Sequence, residues 1–129
     1  MALPRLHCVS GAIDVADITV AVTAANTIVA ADTSKRYKVV DVDVRAIGGD
    51  AGGSTAIFVM NGTKVPWTAA TTNIDEGVIM RSDTTNVTAT DLGAWGEGDS
   101  AISMIRSGTV TTTATSLDYV VWYLVEGCN

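Results

Sequence analysis

Histidine occurs once in this 129-residue chain, at His7, and cysteine twice, at Cys8 and Cys128. A hydrolase triad needs a base within reach of a nucleophile, so His7 is the one histidine base on offer, and it lies in an irregular N-terminal stretch. Neither cysteine has a second one spaced for a metal, so no metal centre and no cofactor are expected. The two cysteines stand near opposite ends of the chain and could bridge only if the ends met in space, so free thiols are expected in a reducing cytosol. Basic residues are also few: 8 Lys and Arg against 14 Asp and Glu give a net charge of -6. Phosphate neutralisation requires clustered cations, and Lys35-Arg36-x-Lys38 is too small a patch, so nucleic acid is excluded as a partner. No apolar run approaches the ~20 residues that span a bilayer. The opening "MALPRLHCVSGAIDVADITV" lacks the continuous apolar core of a secretory signal, so synthesis in the cytosol without export is expected. What is present is apolar surface, 47% hydrophobic residues with 17% charged, enough for one compact domain at this length.

The pattern along the chain is one of short strands. Residues 1–16 mix Pro4, Gly11 and small side chains without a period and read as an N-terminal arm, leaving 17–129 as a β-sandwich domain. "DITVAVT" (17–23) alternates Ile18, Val20 and Val22 with Thr and Ala, which predicts a half-buried strand, with "NTIVAA" (26–31) following after a short turn. "RYKVVDVDVRAIGG" (36–49) has the clearest period: Val40, Val42, Val44 and Ala46 on one side, Asp41, Asp43 and Arg45 on the other. A glycine-rich turn then leads to "STAIFVMNG" (54–62), which closes on the Asn61-Gly62 turn signal. Pro66 and Trp67 interrupt the next segment, which predicts a long connection with a short helical turn near 69–75. "VIMRS", "TTNVTAT", "SAISMIRS" and "TVTTTATS" supply further short strands, separated by the loop "DLGAWGEGD" (91–99). About eight strands with glycine, aspartate and asparagine turns, and almost no amphipathic helix, predict an all-β fold: an antiparallel β-sandwich, jelly-roll-like, in a single domain.

Other candidate chemistry reduces to ordinary surface. Asp41 and Asp43 at a spacing of two could form a carboxylate pair, but Arg45 continues the same face and makes a solvated charged face the simpler reading. "GAWGEGDS" lacks the lysine and the following helix of a phosphate loop, and Glu97 with Asp99 lacks a calcium-loop spacing. The triplets at Asn61 and Asn86 match the glycosylation pattern, yet without an export signal they carry no weight. Trp67 and Trp95 read as loop aromatics that fold over an open end of the sandwich or onto a neighbouring subunit, with a sugar-stacking platform as the alternative. The last strand, "LDYVVWYLVEG" (117–127), is apolar on both faces: Leu117, Tyr119, Val121, Tyr123 and Val125 against Val120, Trp122 and Leu124. A sandwich needs one such face, so the other implies the arm, a loop or a second molecule as cover.

"RYKVVDVDVRAIGG", "TTNIDEGVIMRSDTTNVTA", the loop with "GDSAISMI" and the closing "LDYVVWYLVE" resemble the small all-β structural proteins of tailed bacteriophages, in particular head decoration (cement) proteins. The resemblance spans residues 17–126 and is one of layout and texture. It implies a virion protein without an active site that sits on the outside of the capsid, binds the major capsid protein, and forms a homo-oligomer, with a trimer favoured. Synthesis in the host cytoplasm, no membrane partner and no enzyme activity complete that expectation. On this reading Tyr119, Trp122 and Tyr123 are the candidate subunit interface, and Leu3, Leu6 and Val9 are a capsid-gripping segment of the arm. The alternatives are a tail or neck protein, or a carbohydrate- or receptor-binding virion domain using Trp67 and Trp95.

Overall fold

A computed structural model of the chain describes residues 4–52, 55–108 and 113–127. Nine strands form two antiparallel sheets that pack face to face: β1 (Arg5–Asp14), β2 (Thr27–Val29), β3 (Lys35–Ile47), β4 (Ala56–Asn61), β5 (Lys64–Ala70), β6 (Met80–Arg81), β7 (Val87–Thr88), β8 (Ile102–Arg106) and β9 (Ser116–Gly127). The first sheet runs β1-β9-β3-β6 and the second β2-β8-β4-β5-β7. With the two-residue β7 set aside, β1 pairs with β9, β2 with β8, β3 with β6 and β4 with β5. That nesting is a long hairpin rolled on itself, the jelly-roll sandwich. The all-β expectation therefore holds in detail.

β3 and β9 form the spine of the first sheet because each supplies a dry inner row. Tyr37, Val39, Val42, Val44 and Ala46 of β3 and Leu117 and Val121 of β9 are buried. They face Ile57, Val59, Trp67, Ala69, Ile102 and Met104 of the other sheet. Each fully buried side chain of this size contributes about 1.5 to 3 kcal/mol. A β-bulge between Val39 and Asp41 shifts β3 by one residue against β9. The inner row is therefore odd-numbered before it and even-numbered after it, and Val40 leaves the dry face where strict alternation placed it.

Three other expectations are corrected. The described part of the 1–16 segment is no separate arm: ten residues pair with β9 in unbroken register from Arg5↔Val125 to Asp14↔Ser116. Residues 17–23 form no strand, and Val20 and Val22 are exposed. Their backbone is served instead by the buried Asn26, which accepts from Thr23 N at 2.9 Å and donates to the carbonyls of Asp17 and Ala21 at 3.3 and 3.0 Å. A side chain that satisfies a loop this way removes its need for a ladder. Nor do Pro66 and Trp67 interrupt the chain: both lie in β5, Pro66 opposite a register shift where a missing N–H costs no ladder bond. The helical turn expected near 69–75 is a 3-10 turn over Thr71–Asn73. The first half of "TVTTTATS", 109–112, lies outside the described residues.

Candidate interaction surface

The outer face of the first sheet carries the features a docking surface needs. Side chains alternate across a strand, so with Val121 and Leu117 inside, Val120, Trp122 and Leu124 of β9 point outward and are half-buried. Register places Leu6 opposite Leu124, Cys8 opposite Trp122 and Ser10 opposite Val120 on β1. Leu6 is 63% exposed, and Cys8 is exposed beside it. Whether Cys8 pairs with Cys128 lies outside the described residues, as does Leu3. Two rows cross the sheet here, Ser10–Val120–Asp43 and Ala12–Asp118–Arg45, and with the exposed Ile79 they line a cleft of about 550 Å3.

Charge frames this apolar strip. Arg36 pairs with Glu126, Arg45 with Asp118 at 3.4 Å, and Arg81 with Asp43 at 3.9 Å. Such partly exposed pairs contribute little stability, at most about 1 kcal/mol each, and serve mainly to fix polarity at a rim. Asp43 is the exception in its surroundings: burial pushes its carboxyl above the usual range, Arg81 opposes that, and Asp41 and Asp83 reinforce it. One of its oxygens is buried without a hydrogen-bond partner. Asp41 accepts from its neighbour Val42 N at 2.9 Å, so the two carboxylates serve separate contacts.

The residues singled out in the sequence separate onto different faces. Trp122 lies on the outer face. Tyr119 and Tyr123 lie on the inner side of the same strand and pack against the core; Tyr123 meets Tyr37 edge-on at 5.6 Å and stacks on His7 at 5.3 Å. Their hydroxyl pKa values are raised by desolvation. The three aromatics therefore cannot share one contact, because a strand sends neighbours to opposite sides. Leu6 stays available outside, whereas Val9 turns inward against the core. Trp67 is the clearest correction: it is fully buried in β5 and donates from Nε1 to Met80 O at 3.3 Å. Trp95 does lie in the 91–99 loop, which lines the side of β3, and Arg36 and Lys38 approach its ring at 5.0 and 4.9 Å. A sugar stacking there would compete with two cation–π contacts.

The same loop engages Glu97, whose carboxylate accepts from both the backbone N and the hydroxyl of Thr63 and is held below the usual range, the hydroxyl bond being the larger cause. Among the described residues no cluster of three His, Cys, Asp or Glu could hold a metal, and no helix is long and apolar enough to cross a membrane. The signal that sequence reading missed was the cross-strand row itself: Leu6, Cys8 and Ser10 become neighbours of Leu124, Trp122 and Val120 only through register.

The fold and this surface define a jelly-roll domain with an exposed apolar sheet face. No family model matches the sequence, and no curated protein matches it either. Among solved structures, a chain of the cyanophage Pam1 capsid asymmetric unit is similar at 16% identity and a TM-score of 0.48, covering 94% of this chain and 84% of that one. A likeness of that degree carries no assignment of function.

Proposed function

We propose that this chain is a structural protein of a bacteriophage virion, a decoration (cement) protein that binds the outside of the head shell and stabilises it by repeated contacts. The observation that carries the reading is the apolar strip Leu6–Leu124 and Cys8–Trp122 with Val120 on the outer sheet face, where Leu6 is exposed and the three β9 side chains are half-exposed. A residue such as Trp122 contributes on the order of 2 kcal/mol or more when its exposed half is desolvated by a partner. Repetition over many copies turns modest contacts into firm attachment. The jelly roll supports the reading as an architecture common to capsid and lectin domains, which is an analogy of fold. The texture resemblance to decoration proteins supports it from the sequence side. The major capsid protein is the partner this reading requires.

The test uses expanded capsids that lack a decoration protein. Added chain should co-sediment with them and raise the temperature at which they rupture. Trp122→Ser should bind far more weakly while melting like the parent. Failure of the parent chain to bind any expanded capsid, or binding unchanged by Trp122→Ser, would count against the proposal. A glycan-binding virion domain is the less supported reading, since Trp67 lies in the core and Trp95 is occupied by Arg36 and Lys38.

A further inference from the structure

β1 is the one long strand among the described residues with a free side. The other edge strands, β6, β2 and β7, are two or three residues long, whereas β1 has ten. Its hydrogen-bonding direction follows from the far side of the sheet. The 91–99 loop donates to the carbonyls of Val39, Tyr37 and Lys35 from Gly93, Gly96 and Asp99 at 2.8, 2.8 and 3.2 Å. Arg36 and Lys38 therefore turn their backbone groups toward Glu126 and Leu124 of β9. That leaves Val125, Tyr123, Val121, Tyr119 and Leu117 to face β1, where they bond Arg5, His7, Val9, Gly11 and Ile13. By elimination the N–H and C=O groups of Leu6, Cys8, Ser10 and Ala12 point away from the sheet.

Natural edges are usually guarded by proline, lysine, a bulge or a covering loop. Among the described residues β1 has none of these: its register is unbroken, and residues 6–13 contain no proline, lysine, arginine or acidic residue. In a molecule of net charge -6 this is a stretch along which two copies can approach without like charges meeting.

We propose that β1 pairs antiparallel with β1 of a second copy about a two-fold axis near Val9, joining two four-stranded sheets into one of eight. In that register Leu6 opposes Ala12 of the second copy and Cys8 opposes Ser10. Every outward backbone group of the four residues then meets its counterpart, and outward side chains stay outward. A single self-complementary edge closes at two copies, so a pair replaces the trimer that the sequence reading favoured. The axis is perpendicular to the sheet, and both copies present their apolar strips on the same side. The pairing is independent of the virion reading, although it would make particle binding bivalent.

Sedimentation velocity of the full chain at about 50 μM should give twice the 13.3 kDa monomer mass, with a dissociation constant below that concentration. Ser10→Pro deletes an outward N–H without touching the β9 ladder, and should weaken the pair by about tenfold or more while leaving the circular dichroism and melting curve near those of the parent. A second variant avoids reliance on proline. Ser10→Cys in a Cys128→Ser background sets the introduced thiol of each copy opposite Cys8 of the other, at about 5.5 Å between Cα atoms, a separation that suits a disulfide. Mild oxidation should convert it to covalent dimer much faster than the Cys128→Ser parent. A monomeric wild-type chain, a pair that survives Ser10→Pro in folded form, or cross-linking no faster than in the parent would each overturn the proposal.

Discussion

Trp67 shows how far a single residue can mislead a reading by pattern. Next to a proline it resembles a loop aromatic, yet it is a fully buried core side chain with its indole N–H satisfied. Trp67→Ala should therefore cost about 3 to 5 kcal/mol in denaturant unfolding. Gly62 behaves as its sequence context indicated: it opens the two-residue turn between β4 and β5 at φ 63°, with Asn61 opposite Lys64. Gly62→Ala should cost about 1 to 2 kcal/mol, since an added Cβ disfavours that conformation and also meets Ser100 at 3.1 Å. Asp43 yields a prediction in pH. Burial raises its carboxyl above the ordinary range, so the folded chain holds that proton more tightly than the unfolded chain does. Ionisation thus costs stability above the raised value, and the cost vanishes below the ordinary carboxylate range. Asp43→Asn should melt higher than the parent at neutral pH, with the difference closing on acidification, as calorimetry across that range would reveal.

At the scale of elements, strands with an unbroken two-residue period were legible, whereas β5, although it lies between β4 and β7, was hidden by Pro66 and Trp67. The alternation in 36–49 identified β3 because a central strand must bury one row, but the bulge at Val39/Asp41 has no signature in composition and reversed the phase of half of it. Conversely, "DITVAVT" alternates as well as any strand, yet it joins no ladder: Asn26 closes the loop locally, and Arg106 donates to the carbonyls of Thr19 and Ile18 at its flank. Asn26→Ala should cost about 1 to 3 kcal/mol through the backbone groups it strands. β1 offers a residue-by-residue check by hydrogen exchange. In dilute, monomeric protein the amides of His7, Val9 and Gly11 should be protected, and those of Leu6, Cys8, Ser10 and Ala12 should exchange rapidly. Slowing of the second set as concentration rises would report edge pairing, while uniform protection at all concentrations would contradict an outward direction for those four amides.

For the whole molecule, the surplus of apolar sheet was evident before any fold was known. The doubly apolar "LDYVVWYLVEG" implied one face in the core and cover for the other; the structure places Leu117 and Val121 inside and leaves Val120, Trp122 and Leu124 half-exposed on the outer side. Composition and turn spacing determined by themselves that the chain is an all-β sandwich, because β-branched alternation and glycine turns act over a few residues. Only the tertiary structure decided which apolar residues share a face. It moved Tyr119 and Tyr123 to the core side and Trp67 into the second sheet, and it set Leu6 and Cys8 beside Leu124 and Trp122. The physical reason is register: a strand's pattern states that alternate residues diverge, but pairing between segments about 115 residues apart in sequence fixes which rows join, and a one-residue bulge is enough to exchange them.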